Sequence, residues 1–323
     1  MGVNISELVT FEPIEMESLT GRALAIDALN MIYQFLGNIR QADGTPLMDS
    51  QGNITSHLSG LFYRTSNLIS KSLKPIYVFD GAPPDFKAIE LEKRREIRAA
   101  AKEKWDTALR EGRLDDAKRH AQASAKVTQE MVDESKLLLK AMGVPTIQAK
   151  SEGEAQCARI CMDGKAFATV SQDFDSLLFG SPRTLRNLSI AKSETLQIVE
   201  LSAQRLSREE MILIGILVGT DYNVGGVNGL GPKKALALVE KHKTLEEIKK
   251  QVEWKFDIEM ETLFEFFMNP PVEKDYSINF GRPNREKIIE ILCEKRDFSK
   301  ERVKNTLDKL EEKKGTQTSL MGF

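Results

Sequence analysis

The chain has 323 residues, enough for one large domain or two linked ones, and its 46 Lys and Arg residues nearly balance its 48 Asp and Glu residues. No run of about 18 apolar residues occurs, and no positively charged start leads into an apolar segment, so we expect neither a membrane-spanning helix nor secretion. Cys157, Cys161 and Cys293 are too few and too unevenly spaced for a zinc site, and we interpret them as reduced thiols of a cytoplasmic protein.

Three short apolar runs of the sequence lead to aspartate, at Asp27, Asp80 and Asp173. The first two have the continuous hydrophobicity of a buried parallel strand, and the third is only slightly more polar. In open α/β sheets, ligands bind beyond the carboxyl ends of such strands. Because a cluster of buried negative charge is costly without a cation, these runs predict a metal site.

Two further acids follow the strand that we predict over Gly143–Ala149. Glu152 and Glu154 are two residues apart, so on a regular helix they would point away from each other. They converge only in a loop or in the first turn of a helix, for which Ser151 is the expected N-cap.

The last acids of the pattern lie further along the chain. Asp175 follows the third aspartate by two residues, and in an extended backbone the two side chains would share one face. Asp221 follows the apolar helix predicted over Met211–Val218, whose start carries the capping-box residues Ser207 and Glu210. Hard oxygen ligands favour magnesium or manganese over zinc, and none of the three histidines is near these motifs. The predicted ligands are Asp27, Asp80, Glu152, Glu154, Asp173, Asp175 and Asp221.

Other interpretations of these acids remain open at this point. Each acid alone is explained as a turn residue or a helix cap. The D-x-D sequence at 173–175 also resembles the nucleophile motif of haloacid dehalogenase-type phosphatases, but that interpretation leaves Glu152, Glu154 and Asp221 without a role. The third alternative is a DNA-binding and clamp-binding adaptor without catalytic activity.

The distribution of charge decides more than the net charge of −2. From Lys87 to Lys104 there are seven Lys or Arg against four Asp or Glu, and the same numbers hold from Leu230 to Lys255. If a metal neutralises the seven acids, the rest of the chain is positive overall. Such local basic segments are compatible with a nucleic-acid partner.

A glycine-rich segment, Gly225–Lys234, leads into the helix predicted over Ala235–His242, with Pro232 as a suitable first helical residue. Glycines allow close approach of backbone N–H groups, and a helix start attracts anions. This arrangement predicts a phosphate contact of the helix-hairpin-helix type, which does not read bases. The alternative is a glycine-rich turn between two packed helices.

Taken together, the motifs resemble those of the flap endonucleases, a family of the structure-specific 5′ nuclease (XPG-like) superfamily, and the resemblance to the archaeal type covers essentially the whole chain. The motifs occur in the order and at the separations typical of the family. The matching stretches are Ala25–Ala28, Val78–Pro84, Ser151–Gln156, Gln172–Asp175, Gly219–Tyr222 and Gly229–Ala235.

The resemblance implies an α/β fold with a central, mostly parallel sheet, helices on both faces, a helical arch and a helix-hairpin-helix motif. It implies five segments along the chain. These are an N-terminal nuclease region (1–98), an arch or cap (99–130), an internal nuclease region (131–255) with the helix-hairpin-helix at 207–243, a C-terminal helical region (256–314) and a clamp-binding tail (315–323).

The implied activity is cleavage of 5′ flaps at junctions of single- and double-stranded DNA, with 5′–3′ exonuclease activity, in Okazaki-fragment maturation and repair. The seven acids would bind two Mg²⁺, with Mn²⁺ able to substitute. Two metals can generate hydroxide and stabilise both the attacking and the leaving oxygen of a phosphodiester.

The resemblance also implies roles for residues around the metals. Lys87 and Arg94, two helical turns apart, would approach the scissile phosphate and stabilise transition-state charge. Tyr33 would stack on an unpaired base. The start of the chain also fits a myristoylation pattern, but no second lipid site or basic patch accompanies it, and we prefer the family interpretation in which the Gly2 amine packs near the active site.

For DNA binding, the resemblance implies contacts outside the metal site. A monovalent cation is expected at the helix-hairpin-helix. The implied DNA-binding residues are Thr55 and Arg64 on the 3′ side of the junction, and Gly229, Gly231, Lys233 and Lys234 in the glycine-rich segment.

The end of the sequence resembles the short box that binds the replication sliding clamp, PCNA. Gln317, Leu320 and Phe323 match it, but one aromatic residue of the usual pair is absent. A frayed end is the alternative. The sequence lacks the Lys-rich extension of eukaryotic relatives, so we expect no nuclear location and place the protein in the cytoplasm, associated with the nucleoid. We also expect a monomer with no membrane partner.

Overall fold

The computed structural model describes residues 2–188 and 195–320. In this part of the chain the strands form one sheet with the order β1-β7-β6-β5-β2-β3-β4, in which β6–β7 and β1–β7 are antiparallel and the other pairs are parallel. The predicted mostly parallel central sheet is therefore confirmed. The strands are β1 (Glu12–Pro13), β2 (Ala23–Asp27), β3 (Lys74–Phe79), β4 (Thr146–Gln148), β5 (Ala168–Val170), β6 (Arg183–Arg186) and β7 (Gln197–Glu200).

Helices cover both sides of the sheet. None of the helices in the described residues combines the length and the apolar character needed to cross a membrane. The α-helices are α1 (Ala28–Asn38), α2 (Ser56–Ser70), α3 (Ala88–Arg110), α4 (Leu114–Ala123), α5 (Gln129–Ala141), α6 (Gly153–Met162), α7 (Asp175–Leu178), α8 (Arg208–Val218), α9 (Pro232–His242), α10 (Leu245–Lys249), α11 (Met260–Met268), α12 (Arg285–Ile289) and α13 (Lys300–Leu320).

Both faces of the sheet are buried because side chains alternate along each strand. Leu24 and Ile26 of β2 pack into a core with α1, α2, α5 and α13, whereas Ala25 between them faces a second core with Cys157 and Ile160 of α6. Full burial of one Leu or Ile stabilises the fold by about 1.5–3 kcal/mol. The continuous apolar runs of the sequence therefore reflect strands that need helices on both sides.

Two helix starts agree with the sequence analysis. The capping box of α8 is formed, because the Ser207 hydroxyl accepts a hydrogen bond from the N–H of Glu210 and the Glu210 carboxylate accepts one from the N–H of Ser207. Pro232 is the first residue of α9. These contacts satisfy amide groups that have no partner inside the helix.

The predicted N-cap of α6 is wrong by one residue. Glu152, not Ser151, precedes the helix, and its side chain makes no capping hydrogen bond. The first amide of the helix, at Gly153, instead donates to Asp80 Oδ1 at 2.8 Å. A carboxylate from a neighbouring strand end therefore takes the place of a local cap, which sequence spacing cannot reveal.

The charged segment after β3 forms two helices, α3 and α4, which pack against each other and which we call the arch. Ala117 and Ala121 of α4 are fully buried. Helix α3 runs without interruption through residue 98, so the predicted boundary between nuclease region and arch lies inside a helix.

The C-terminal helix α13 packs on α2 through Val303, Leu307 and Leu310, which belong to the first core. The helix continues to Leu320, past Gly315, where the predicted clamp-binding tail begins. The side chains of Gln317 and Leu320, and all of Phe323, lie outside the described residues.

Candidate active site

A cavity of about 960 Å³ lies at the carboxyl edge of the sheet, where β2 and β3 end. The arch covers it through Arg94, Ile97 and Arg98 of α3, and α1 forms the opposite wall. All seven carboxylates predicted from the sequence line this cavity: Asp27, Asp80, Glu152, Glu154, Asp173, Asp175 and Asp221. The parallel topology explains why acids far apart in sequence meet here.

The backbone fixes the orientation of Asp27 and Asp80. Asp27 ends β2 and caps α1, accepting a hydrogen bond from the N–H of Asn30 at 2.9 Å. Asp80 accepts from the N–H of Gly153, where an added Cβ would lie only 2.5 Å from Asp80 Oδ1. Glycine is therefore required for α6 to approach this carboxylate.

The expectation that Asp173 and Asp175 lie on one face of an extended backbone is wrong. Strand β5 ends at Val170, and Asp175 is already the first residue of α7. Ser171 explains the departure from the strand, because its hydroxyl donates to Glu154 and accepts from the N–H of Asp173 at 3.1 Å. Turn geometry, rather than extended geometry, brings the two aspartates to the cavity.

The carboxyls raise each other's pKa. Burial, and next the nearby Asp80, raises the pKa of Asp27 to about 8. Burial, and next Asp221, raises the pKa of Asp175 to about 7. The pKa of Glu154 lies well above its ordinary value, first because it is buried and then because other carboxylates surround it. A cluster that resists ionisation in this way favours a bound cation, which would remove the repulsion.

Two basic side chains already occupy part of the cavity. Lys87 Nζ lies 2.7 Å from Glu152 Oε2 and 3.9 Å from Asp221 Oδ2, and an Arg94 guanidinium N–H donates to Asp221 Oδ2 at 2.7 Å. Burial alone would lower the pKa of Lys87, but Glu152 and Asp221 outweigh it and the pKa is raised. Lys87 is thus held as a cation next to the acids.

The donor set fits divalent metal ions. In the residues that the structure describes, no three acidic, histidine or cysteine side chains could bind one ion together as they stand. Lys87 and Arg94 lie among the acids and pair with two of them. Within the described part of the chain, the cavity is nevertheless lined by seven carboxylates and by no histidine or cysteine, and oxygen is the ligand type that Mg²⁺ and Mn²⁺ prefer.

Tyr33 of α1 lines the same cavity, as predicted, but its ring has a neighbour that the sequence analysis did not identify. The guanidinium carbon of Arg98 lies 5.0 Å from the centroid of the Tyr33 ring. Arg98 follows Arg94 by four residues, so the two share one face of α3. That spacing is the sequence feature that could have revealed Arg98.

Gly2 packs against Asp173 and Asp175, which follow β5. A Cβ on Gly2 would lie 2.6 Å from the Cβ of Asp173 and 3.1 Å from Cγ of Asp175. The N–H of the next residue, Val3, donates to Asp175 Oδ1 at 2.7 Å. The amino-terminal segment therefore forms part of the wall behind these two carboxylates.

The glycine-rich segment lies outside the cavity. Gly229 has a left-handed φ of +75°, and Gly231 is the N-cap of α9. An added Cβ at either glycine would meet no atom within 4 Å, so their backbone is open to a ligand. Lys234 Nζ donates to the carbonyl of Gly229 at 3.1 Å, and the side chain of Lys233 is 85% exposed.

The two residues predicted for the 3′ side of the junction differ in accessibility. Thr55 is buried, at 4% exposure, directly before α2. Arg64 lies on α2 and is exposed. Neither residue lines the cavity.

A parallel sheet that gathers carboxylates and basic side chains at its carboxyl edge, beside an open helix start, is typical of metal-dependent nucleases. Comparison with known proteins agrees. Residues 3–101 match the XPG N-terminal domain, and residues 143–221 match the XPG I-region.

Full-length relatives extend this result. Flap endonuclease 1 of Thermococcus onnurineus is 50% identical, over 99% of this chain and 98% of its own length. The structure of flap endonuclease-1 from Methanococcus jannaschii is 38% identical with a TM-score of 0.78, covering 96% of this chain and 98% of that one. The catalytic core of Rad2 in complex with a DNA substrate shares the fold at 23% identity, with a TM-score of 0.75 over 96% of this chain and 100% of that one. The chain belongs to the flap endonuclease family of XPG nucleases.

Family membership confirms the resemblance inferred from the motifs and makes the chain a metal-dependent DNA nuclease. It also removes the phosphatase alternative, because the D-x-D sequence at 173–175 belongs to the XPG I-region.

Proposed function

We propose that the protein cleaves 5′ flaps at the junction of single- and double-stranded DNA and also removes nucleotides from 5′ ends. The observation that carries this proposal is the cavity beneath the arch, which contains the seven carboxylates together with Lys87, Arg94 and Tyr33. A site of this kind combines metal-ligand oxygens, cations for phosphate charge and an aromatic ring for a base. Family membership supports the same activity.

The proposed cofactors are two Mg²⁺ ions, for which Mn²⁺ can substitute. When bound, divalent ions lower the pKa of water and stabilise charge on the oxygens of a phosphodiester. The proposed ligands, direct or through water, are Asp27, Asp80, Glu152, Glu154, Asp173, Asp175 and Asp221.

Lys87 and Arg94 are proposed to contact the scissile phosphate. Both are held at the cavity by ion pairs with Glu152 and Asp221, so their charges are positioned before substrate arrives. Fixed cations stabilise developing charge more effectively than mobile ones, because little reorganisation is needed during the reaction.

Tyr33 is proposed to stack on an unpaired base next to the cleavage site. Arg98 covers one face of the ring, so a base would stack on the other face or displace Arg98. Selectivity for flaps would follow if a free 5′ strand passes under the arch.

The segment around Gly229 and Gly231 is proposed to bind a phosphate of the duplex, with a monovalent cation and with Lys233 and Lys234 as partners. Arg64 is proposed to contact DNA on the 3′ side of the junction. Thr55 could join it only if its surroundings open.

In the cell, we propose that the protein acts as a monomer at the nucleoid, in Okazaki-fragment maturation and in repair. The residues Gln317, Leu320 and Phe323 are proposed to recruit it to the sliding clamp PCNA. Large apolar side chains anchor such peptide segments in pockets of their partners.

The test is incubation of the protein with labelled double-flap DNA and Mg²⁺, beside a single-stranded control and a sample with EDTA. We expect cleavage near the junction of the flap substrate, with little product from the single strand and none in EDTA. Binding of flap DNA without any cleavage would instead support a non-catalytic adaptor.

A further inference from the structure

A second cavity, of about 410 Å³, adjoins the candidate active site. It lies between the C-terminal half of α5, the edge strand β4 and the segment 277–281. Lys136 of α5 lines both cavities. The two cavities are therefore neighbours along one helix. A single strand of DNA that leaves the first cavity would reach the second by passing Lys136.

The ammonium group of Lys136 is held at the boundary between the cavities. Lys136 Nζ donates to Gln148 Oε1 at 2.7 Å and lies 5.0 Å from the centroid of the Phe79 ring. Gln148 is fixed in turn, because its amide group donates to the carbonyls of Phe79 and Asp80. This arrangement keeps a positive charge at one place while leaving donors of the ammonium available.

Lys140 extends the positive charge into the second cavity. It lies one helical turn beyond Lys136 and is exposed, and no carboxylate lines this cavity. Among the described residues, neither lysine has an ion pair. The nearest acid of the same helix face, Asp133, accepts from the Gln129 side chain and lines neither cavity.

We propose that the single-stranded 5′ flap, after it passes beneath the arch, continues along α5, where Lys136 and Lys140 bind successive phosphates. This inference rests on the proposed flap endonuclease activity and identifies a further part of its substrate site. Four residues of helix rise about 6 Å, so the two ammonium groups follow a strand lying along the helix. Leu137, which is 55% exposed, offers an apolar surface to a base between them. A positive groove combined with apolar side chains is how proteins bind single strands without reading sequence.

The test compares flaps of different length. We would measure binding by fluorescence anisotropy in EDTA, with substrates that are identical except for a 5′ flap of about two or about 12 nucleotides. The variants are Lys140→Glu and, as the matched control, Lys309→Glu, which makes the same charge change on α13 at an exposed lysine that lines neither cavity.

For Lys140→Glu we expect a loss of affinity on the order of tenfold for the long flap and much less for the short one. Lys140→Ala should lower the salt slope of long-flap binding by about 0.7, the value for one phosphate contact of a single strand. Lys309→Glu should change neither affinity. A photoreactive base in the distal part of the flap should crosslink to residues 129–147.

Equal effects of Lys140→Glu on long and short flaps, or none on either, would overturn the α5 path. So would crosslinks confined to other parts of the protein. Failure of the wild-type protein to cleave any flap is a distinct result, because it removes the proposed activity and the path with it.

Discussion

Lys87 and Lys233, which we propose act in catalysis and in DNA binding respectively, lie in different environments. The Lys87 side chain is 11% exposed and lies between Glu152 and Asp221, whereas the Lys233 side chain is 85% exposed at the start of α9. A desolvated, fixed cation can stabilise transition-state charge, but an exposed one contributes mainly to phosphate attraction.

We therefore predict opposite defects for two alanine variants. Lys87→Ala should slow single-turnover cleavage by roughly 10²-fold or more while changing the Kd for flap DNA little. Lys233→Ala should weaken binding and reduce its salt slope by about one, with the rate of the bound complex preserved. Rapid-quench kinetics and anisotropy titrations measure the two effects. The same defect in both variants would refute the division of the basic residues into catalytic and binding groups.

At the residue scale, the sequence was sufficient for the carboxylates but not for their neighbours. An acid directly after a buried strand, such as Asp27, has its position determined by the topology of the sheet. Arg98 could have been found from its spacing to Arg94, but Lys136 reaches the cavity from α5, and which face of that helix meets the cavity depends on packing that the sequence does not define. For the same reason Tyr33 was assigned only through the family resemblance.

At the scale of elements, the arch rests on residues 40–54, which we call the hairpin. This segment contains two consecutive turns, the first closed by the bridge of Arg40 with Pro46 and the second by the bridge of Met48 with Ile54. Gly44, at the first turn of this hairpin, lies against Ala121 and the backbone of α4. The contact joins α4 of the arch to the hairpin. Nothing in the sequence pairs these two segments, because small residues in contact leave no periodic pattern.

Two glycines of the hairpin provide a matched test of this contact. Gly44 and Gly52 have φ values of +86° and +85°, so alanine strains the backbone equally, by about 1–2 kcal/mol. Only at Gly44 would the new Cβ approach the arch, at 3.0 Å from the Cα of Lys118. We expect faster hydrogen exchange in residues 114–123 for Gly44→Ala than for Gly52→Ala. Equal exchange in both variants would show that the hairpin does not hold the arch.

Element boundaries were less predictable than element types. The third apolar run, which leads to Asp173, contains a strand of only three residues, Ala168–Val170, and the hydroxyl of the next residue, Ser171, donates to Glu154. A hydroxyl that bonds across the fold cannot be distinguished from a strand residue by hydrophobicity. The start of α9 was predictable because proline is favoured at the first position of a helix, and Pro232 occupies that position.

At the scale of the whole molecule, Arg296 joins the C-terminal region to α5 and to the hairpin. Its guanidinium binds the carboxylates of Glu134 and Asp49, and Glu134 also binds His57, which is fully buried. Burial alone would raise the pKa of Glu134, but the hydrogen bonds from His57 and Arg296 lower it below its ordinary value. A carboxylate whose pKa is lower in the folded state than in the unfolded state stabilises the fold at pH values above the unfolded-state pKa. This contribution is lost as the pH falls through the folded-state pKa.

We predict that Arg296→Ala lowers the free energy of unfolding at pH 7 by about 2 kcal/mol, since the carboxylates of Glu134 and Asp49 lose this cationic partner. The difference from wild type should shrink as the pH falls through the lowered pKa of Glu134, where this carboxylate becomes protonated. Arg285→Ala, which removes a surface pair with Asp308, should cost less than about 1 kcal/mol. Urea unfolding at several pH values measures this. A difference that is independent of pH would show that packing, not charge, explains the role of Arg296.

We predict that the C-terminal tail affects recruitment of the protein to the sliding clamp but not the rate of DNA cleavage. Truncation before Gln317 should leave cleavage of free flap DNA unchanged, because residues 317–323 contain no acidic and no basic side chain. It should abolish stimulation by the cognate sliding clamp. With one aromatic residue absent, we expect micromolar rather than nanomolar binding of the tail peptide, a difference of about 4 kcal/mol. Equal stimulation of full-length and truncated protein would identify the box as a frayed end.

The central claim is that the acids at the sheet edge form a two-metal nuclease site, and counting bound Mn²⁺ by electron paramagnetic resonance tests it most directly. In the presence of flap DNA, wild type should bind two ions per chain. Asp80→Ala and Asp175→Ala should each lose at least one ion and all cleavage, while flap DNA still binds. Two ions and normal cleavage in either variant would contradict the seven-carboxylate site.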